Sequence, residues 1–231
     1  MMERPILFSG PMVRAILEGR KTQTRRIAIP KRSSIDFIGG GPTGGPDWND
    51  PTCWGFEDPD TGFWWALRGN KSCHPLPCPH GTVRDRLWVR ETCRADELDS
   101  GLDGVRYRAD DAFRAIDDSL LAAERWLDLN AYRGQEGAMV PAIHMPRWAS
   151  RITLEITDVR VERLQSISES DARDEGVTIE DHHIRGYSAG AFRPPSIRAF
   201  HDLWDSLNAA RGYGWDANPW VWVVEFRRIE P

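Results

Sequence analysis

A short basic segment with two hydroxyl groups is the part of the sequence best suited to chemistry. It is GRKTQTRR, residues 19–26, in which a glycine precedes one lysine, two threonines and three arginines. Burial disfavours the charged form of an amine, so a lysine in a partly dry pocket loses its proton near neutral pH and can activate a neighbouring threonine hydroxyl. A carboxylate from elsewhere in the chain would be required to relay protons. The segment is therefore a candidate active site, and the alternative is a set of exposed charges in a turn.

The charge distribution favours a small anionic ligand over duplex nucleic acid. The formal net charge of the 231-residue chain is −5, whereas proteins that coat a duplex depend on many phosphate contacts from Lys and Arg. Residues 1–32 nevertheless contain eight basic residues against only Glu3 and Glu18. This local excess predicts a site for one phosphate or a short single strand, and the alternative is a solvated basic edge.

Four cysteines raise the questions of disulfides and of zinc. They are Cys53, Cys73, Cys78 and Cys93, and in a chain that does not open with a secretory signal we expect free thiols. Cys73, Cys78 and His80 lie close together in CHPLPCPH, and thiolates and imidazoles are the ligands that zinc prefers. The spacing matches no standard zinc motif and prolines stiffen it, so packing of a loop is the favoured interpretation and zinc the alternative.

The basic segment is predicted to lie where a helix meets a strand. Ser9 or the following glycine can cap a helix, with Pro11 in its first turn and Gly19 at its end. The alternating residues after Gly19 favour a strand. Lys21 and Thr24 therefore fall at a junction that can bring side chains from both elements to one place.

Capping signals and alternation predict the other elements. SISESDARDEG indicates a helix capped by Ser168 and Asp171, with Glu175 in its last turn. Another helix is expected to begin at residues 194–195, and an amphipathic helix at residues 110–128. Alternating β-favouring residues predict strands in RLWVRET, SRITLEITDVRVERL and the C-terminal PWVWVVEFRRI.

Two stretches interrupt this pattern and are interpreted as insertions. Residues 33–80 are rich in glycine, proline and tryptophan, and residues 97–137 contain the predicted amphipathic helix. The chain has 11 tryptophans, most of which must belong to the core. Aromatic faces also serve as platforms for unpaired bases, so tryptophans of the first insertion are candidates to face a ligand.

Several of these segments resemble the ASCH superfamily. ILEGRKTQTRR is similar to its helix–Gly–x–Lys–x–x–x–Arg segment, LQSISESDARDEGVT to its acidic helix, and WVWVVEF to its closing strand. The resemblance implies one α+β domain over residues 1–231, a PUA-like β-barrel of about five or six strands flanked by helices. The stretches at residues 33–80 and 97–137 match nothing in the small members of the superfamily. Similar openings and endings occur in proteins of bacteriophages and prophages.

The small bacterial members of this superfamily include N4-acetylcytidine amidohydrolases, which release acetate from the exocyclic nitrogen of the base. The resemblance to them implies Lys21 as general base, Thr24 as nucleophile or as the group that positions the attacking water, and Glu175 as proton shuttle to the leaving amine. It implies no cofactor. The side chains predicted to contact the substrate or its phosphate are Arg20, Arg25, Arg26, Glu91, His144 and Trp148. For Glu91 the alternative is an ion pair with an arginine, and for Trp148 it is packing.

The sequence therefore predicts a hydrolase that acts on a nucleobase, nucleoside or RNA, most concretely by deacylation of N4-acetylcytidine-like substrates. One alternative is a non-catalytic RNA-binding module. Another is a ribonuclease for single-stranded RNA, in which Lys21, Arg25 and Arg26 stabilise a phosphorane. No stretch approaches the ~20 continuous apolar residues of a membrane helix, and the first residues do not resemble a secretory signal. We therefore expect a cytoplasmic protein with no membrane partner.

Overall fold

The computed structural model is a mixed α+β structure, which confirms the predicted class. It describes residues 1–28, 78–180 and 193–229, together with the backbone of four short strands between residues 36 and 75. In chain order the strands are β1 (Glu3–Leu7), β2 (Gln23–Ile27), β3 (Asp36–Phe37), β4 (Gly55–Glu57), β5 (Trp64–Ala66), β6 (His74–Pro75), β7 (Arg86–Arg90), β8 (Cys93–Glu97), β9 (Asp103–Tyr107), β10 (Phe113–Ala115), β11 (Thr153–Arg163) and β12 (Trp220–Ile229). The α-helices within the described ranges are α1 (Gly10–Leu17), α2 (Leu120–Asn130), α3 (Glu169–Asp174) and α4 (Pro195–Asn208).

The chain divides into two compact units. The first consists of Met1–Lys21, Arg84–Glu155 and Arg227–Pro231, and the second of Thr22–Val83 and Ile156–Phe226. Strand β11 begins in the first unit and continues into the second. A single ASCH-like domain over the whole chain stays a prediction.

The first unit contains a parallel pair of strands at the start of its sheet. β1 runs parallel to β7 with Glu3 opposite Arg86, and β7 is antiparallel to the first residues of β11 with Trp88 opposite Thr153. The strand predicted in RLWVRET is thereby confirmed. β1 was not predicted, because its apolar run is short and contains Pro5. The strand lies at the end of the strand order, where a residue without an amide hydrogen is tolerated.

The stretch predicted as one helix at residues 110–128 instead contains a strand followed by a helix. Antiparallel strands β8, β9 and β10 form a three-stranded sheet. Helix α2 starts only after Ser119, whose side-chain oxygen accepts a hydrogen bond from the Ala122 amide. Gly104 leaves room for the β9–β10 pairing, because a Cβ at this position would lie 2.3 Å from the Phe113 ring. The helix prediction was wrong over its first half, because apolar residues of a short strand also fall at helical spacing.

Helix α2 and this three-stranded sheet share the core of the first unit. The Trp126 indole nitrogen donates a hydrogen bond to the Gly104 carbonyl at 2.8 Å, which joins the helix to β9. The buried members of this core are Cys93, Ala95, Val105, Tyr107, Trp126, Leu129, Val140, Met145 and Ala149.

In the second unit, β12 lies between β2 and the remainder of β11. β2 and β12 are antiparallel, with Thr24 opposite Val224 and Arg25 opposite Val223. All three strands were predicted from their alternating residues. The apolar residues buried between these strands and helices α3 and α4 are Leu164, Ile167, Ala172, Phe200, Trp204, Trp215, Val221 and Val223.

Helix α4 begins at Pro195 as the sequence predicts, with proline in its first turn. Its buried stripe runs through Phe200, Trp204 and Asn208, in steps of four. Leu207 is exposed, because the step of four from Trp204 reaches the asparagine. With 14 residues, α4 is the longest described helix. None of the helices within the described ranges has the length and apolarity needed to cross a bilayer.

Four short strands occupy part of the predicted insertion at residues 33–80. They pair in the order β3-β4-β5-β6, antiparallel except for the last pair. Among the strands that the structure describes, no pairing closes a barrel. The PUA-like barrel therefore stays a prediction.

Candidate functional site

Lys21 follows the turn that ends helix α1 in the first unit. Gly19 has a φ of 73°, a left-handed conformation that glycine adopts without a steric cost. The turn brings the Lys21 amide to the Ala15 carbonyl, with a hydrogen bond of 3.0 Å. The Lys21 side chain is buried, and its ammonium lies 5.5 Å from the centroid of the Phe8 ring. The lysine is therefore buried beside an aromatic ring, and its role as a base stays a prediction.

Strand β2 of the second unit buries three polar residues in succession, Gln23, Thr24 and Arg25. Consecutive residues of a strand point to opposite faces, so both faces of β2 are covered here. The side-chain amide nitrogen of Gln23 donates to the backbone carbonyl of Asp171 at 2.7 Å. The backbone amide of Thr22 donates to the Asp174 carbonyl at 2.8 Å. Strand β2 is thereby tied to helix α3.

Glu175 lies at the C-terminal cap of α3 and is buried. The predicted capping box is confirmed. The Ser168 side chain accepts a hydrogen bond from the Asp171 amide, and the Asp171 side chain accepts one from the Ser168 amide. Gly176 follows with a φ of 75° and ends the helix. Because the helix is fixed at both ends, the position of Glu175 is fixed as well.

Arg25 is surrounded by three carboxylates, which together with it we call the Arg25 cluster. Its guanidinium lies 3.4 Å from Glu162, 3.3 Å from Asp171 and 3.4 Å from Glu175. The guanidinium also lies 5.8 Å from the centroid of the Phe200 ring. The arginine side chain is fully buried, and a buried cation is stable only with such compensation. These contacts hold Glu175 in place, while the predicted contact of Arg25 with a substrate stays a prediction.

A second arginine binds some of the same carboxylates. Arg160 lies 2.6 Å from Glu162 and 3.3 Å from Asp171, and it also pairs with Glu225. Burial alone raises the pKa of Asp171, but hydrogen bonds at the α3 cap and the charges of Arg25 and Arg160 hold that pKa below its ordinary value. Asp171 therefore stays ionised at neutral pH and keeps both arginines paired.

The other two arginines of the basic segment differ in their surroundings. Arg26 is half-buried, and burial lowers the pKa of its guanidinium, although the charge of Glu175 acts in the opposite direction. Arg20 is exposed and its Nε donates to Glu18 at 2.7 Å. The predicted substrate contacts of both residues stay predictions.

The three predicted catalytic residues belong to different units. Lys21 ends a segment of the first unit, whereas Thr24 and Glu175 belong to the second. Each of them is buried, with 4%, 3% and 4% of its surface exposed, respectively. Their assigned roles stay predictions.

The first unit has an arginine cluster of its own around the buried Glu91, consisting of Arg151, Glu91 and Asp110, which we call the Arg151 cluster. Arg151 donates to the two oxygens of Glu91 at 2.8 and 2.9 Å and to those of Asp110 at 2.9 and 2.8 Å. Its guanidinium lies 4.0 Å from the centroid of the Tyr107 ring. Burial raises the pKa of Glu91, with Arg151 acting against it. Glu91 therefore forms an ion pair with an arginine, which the sequence offered as the alternative to a substrate contact.

Cys93 and Cys78 are free thiols, as predicted for cysteines of this chain. Burial, together with the charge of Glu91, raises the pKa of Cys93 to about 12. A thiol that stays protonated is a poor nucleophile. Cys93 is therefore a core residue rather than a reactive one.

His144 and Trp148 line a surface cavity of about 210 Å³ in the first unit. His144 is exposed and Trp148 half-buried, and the centroid of the His144 ring lies 5.8 Å from that of Tyr132. Tyr132, together with Arg125 and Asp128 of α2, also lines the cavity, and none of the three was predicted from the sequence. The signal that could have found Arg125 and Asp128 is their separation of three residues, which places them on one face of the helix.

The zinc hypothesis rests partly on residues outside the described ranges. Cys73 lies outside them, while Cys78 and His80 are half-buried. Within the part of the chain that the structure describes, no three His, Cys, Asp or Glu side chains are grouped so as to hold a metal ion. The hypothesis stays a prediction.

Two further patterns in the sequence also fall outside the described residues. GYSAG at residues 186–190 fits the G-x-S-x-G form of a nucleophile turn, and GGGPTG at residues 39–44 fits the G-x-G-x-x-G form of a dinucleotide-binding turn. Each pattern is meaningful only between a strand and a helix.

Comparison of the chain with models of protein families, with curated proteins and with solved structures gave no match. The resemblance to the ASCH superfamily therefore rests only on the segments quoted above.

Proposed function

We propose that the protein is a cytoplasmic hydrolase of a modified nucleobase or nucleoside, built on a PUA-like barrel, and that it deacylates N4-acylated cytidine. The observation that carries this proposal is the burial of Lys21, Thr24 and Glu175, each at most 4% exposed. Lysine and glutamate are seldom fully buried in proteins unless they are paired or serve a function. Buried ionisable groups are also those whose protonation a protein can adjust for acid–base chemistry.

In the proposed reaction, the neutral amine of Lys21 takes a proton from the attacking group, which is the Thr24 hydroxyl or a water that Thr24 positions. The attacking oxygen forms a bond to the acyl carbon and the bond from that carbon to N4 breaks. Glu175 passes to N4, as it leaves, the proton that Lys21 took from the attacking group. Where Thr24 is the nucleophile, a water then hydrolyses the acyl ester. The sum is one water consumed, with cytidine and the free acid released.

Two arginines support these steps. Arg25 holds the Glu175 carboxylate at 3.4 Å and so fixes the acid. Arg26 is half-buried, and a cation in such surroundings stabilises a developing oxyanion more strongly than one in water. Arg25 is thus a positioning residue, and Arg26 is the proposed oxyanion contact.

The direct test is hydrolysis of N4-acetylcytidine, followed by chromatography of cytidine and by an assay for acetate. Lys21→Ala and Glu175→Gln should each lower kcat by about 10²–10⁴-fold, the usual contribution of a positioned acid or base. Glu169→Gln is the matched control for the second variant, because this residue is an exposed glutamate of the same helix. Thermal unfolding of every variant separates loss of activity from loss of fold.

Lys21 and Glu175 are proposed to act in one reaction, so the double variant should lose little more activity than either single variant. Unchanged rates in both folded single variants would contradict the proposal. If the wild type leaves N4-acetylcytidine intact but shortens single-stranded RNA, and Lys21→Ala does not, the protein is a ribonuclease and the deacylase proposal is wrong.

A further inference from the structure

The cavity of about 210 Å³ in the first unit lies beside the loop that follows α2. The proposed hydrolytic reaction uses none of its lining residues. Pockets that enclose drug-sized ligands usually measure about 300–1,000 Å³, so this cavity is suited to one ring system rather than to a larger molecule. Its lining combines aromatic rings with one cation and one anion, which distinguishes it from a simple packing defect.

Three aromatic side chains line the cavity, Tyr132, His144 and Trp148. The guanidinium of Arg133 lies 5.3 Å from the centroid of the Tyr132 ring, so we assign the stacking surface to Trp148. This tryptophan is half-buried. Its carbonyl accepts a hydrogen bond of 2.6 Å from Arg114, whose other terminal nitrogen donates to the Ser150 carbonyl at 3.0 Å. The backbone that carries the indole is therefore fixed before any ligand arrives, which lowers the entropic cost of binding.

Two charged residues of α2 line the same cavity. Arg125 and Asp128 are three residues apart and exposed, so they lie on one face of the helix. An aspartate accepts hydrogen bonds from the exocyclic amino group of cytosine, and an arginine binds a phosphate oxygen. Stacking on an aromatic ring together with hydrogen bonds to the base edge is how proteins read unpaired bases.

We infer that this cavity binds one unpaired nucleobase with an exocyclic amino group, stacked on Trp148, with its amino group on Asp128 and a neighbouring phosphate on Arg125. The inference takes the nucleic-acid class of ligand from the proposed function, but the site is separate from Lys21, Thr24 and Glu175. The site that recognises the base is thus in the first unit, whereas the proposed nucleophile and acid belong to the second.

The test is fluorescence anisotropy of 5′-labelled hexamers of cytidylate and of uridylate, at fixed salt concentration. The wild type should bind the cytidylate hexamer about tenfold more tightly, because uracil presents a carbonyl where cytosine presents the amino group. Asp128→Asn should abolish this preference, since an amide both donates and accepts. Glu124→Gln is the matched control, a carboxylate changed to an amide at an exposed position of the same helix that does not line the cavity.

Trp148→Leu should weaken binding of the cytidylate hexamer by about tenfold or more, in the range measured when one stacking ring is removed. Leu127→Ala, at an exposed position of α2 that does not line the cavity, should bind as the wild type does. Equal binding by the wild type, Trp148→Leu and Asp128→Asn would overturn the inference, as would the absence of wild-type binding.

The ligand can reach the cavity as a free nucleoside or as part of a strand. If unlabelled cytidine competes as well as the hexamer, the ligand is the nucleoside. If the hexamer competes better and its affinity falls with salt, the ligand is a strand with a phosphate on Arg125. Binding that depends on Trp148 in a protein without N4-acetylcytidine turnover would contradict the proposed function and leave this inference standing.

Discussion

The two arginine clusters hold their charges in different ways. In the first unit, Arg151 makes hydrogen bonds of 2.8 to 2.9 Å to Glu91 and Asp110, with its Nε bonded to Glu91. In the second unit, the contacts of Arg25 with its three carboxylates are 3.3 to 3.4 Å long. The Nε of Arg25 has no hydrogen-bond partner within the described ranges. The charge of Arg151 is thus fixed by directed bonds, whereas that of Arg25 is divided among several acids.

This difference concerns how strongly each arginine restricts its acids. Short bidentate bonds between a guanidinium and a carboxylate are the strongest of their kind and restrict both partners. Contacts of 3.3 to 3.4 Å are weaker, so each of them restricts its partners less. Glu91 is therefore best understood as a support of the fold, whereas the proton-shuttle role of Glu175 stays a proposal.

Removal of each arginine should have the largest effect and should distinguish the clusters. Arg151→Ala leaves Glu91 buried without its main partner, and we expect the free energy of unfolding to fall by about 3–5 kcal/mol. Arg25→Ala should cost about 2 kcal/mol, because Arg160 still pairs with two of the acids it leaves. Urea denaturation of both variants measures the two losses.

The catalytic effect of the same two variants should run in the opposite order. Arg25→Ala should lower the rate of deacylation by more than Arg151→Ala when both are assayed well below their unfolding midpoints. Equal stability losses, or a larger loss for Arg25→Ala, would show that the distances do not report how tightly each charge is held.

Two serine caps offer a smaller and closely matched test. Ser168 caps α3, and the side chain of Asp171 completes that cap and belongs to the Arg25 cluster. Ser119 caps α2 through the Ala122 amide. Each change to alanine should lower the free energy of unfolding by about 1 kcal/mol. Only Ser168→Ala should also lower turnover, because it loosens Asp171. Similar turnover in both variants would separate the α3 cap from the function of the cluster.

The smallest expected effect is a difference in pH dependence. Burial raises the pKa of Glu91 above its ordinary value of 4.5. The folded chain therefore binds this proton more readily than the unfolded chain, so the contribution of Glu91 to stability grows as pH falls toward 4.5 and is lost as pH rises through the raised pKa. The stability of the wild type relative to Glu91→Gln should accordingly increase on acidification from neutral pH, as measured by urea denaturation.

Asp171 should show the reverse behaviour. Its pKa lies below the ordinary 3.8, so its ionised form contributes stability at all pH values above 3.8, and this is lost as pH falls through the lowered pKa. The stability of the wild type relative to Asp171→Asn should be constant from neutral pH down to that region and then decrease. A common direction for both residues would contradict the assignment of burial as the dominant cause at Glu91.

Elements with local signals could be predicted from the sequence, and elements fixed by distant partners could not. The capping box of α3 and the glycine after α1 lie within a few residues of the bonds they make, so both helices were located correctly. β1 depends on a parallel partner that begins at Arg86, far along the chain, and its own residues carry little strand signal. The boundary between β10 and α2 was missed because Ser119, and not the apolar spacing, determines where the helix begins.

For the candidate site, too, the sequence identified residues that carry a local signal but not their partners from distant segments. The sequence identified Lys21 and Glu175 as candidates, but not Glu162 and Asp171 as partners of Arg25. These partners come from β11 and α3, and only their packing with β2 brings the charges together. The cavity beside α2 was missed for the same reason, because Tyr132 belongs to the predicted insertion at residues 97–137, whereas His144 and Trp148 lie beyond it.

The buried thiol of Cys93 has a practical consequence for studies of motion in this protein. Alkylating reagents attack the thiolate, which is scarce when the pKa of a thiol is raised to about 12. Iodoacetamide should therefore modify this position only in those molecules whose core has opened, so the modification rate of its tryptic peptide reports how often that opening occurs. Cys93 thus reports local opening of the core of the first unit, and no label has to be introduced.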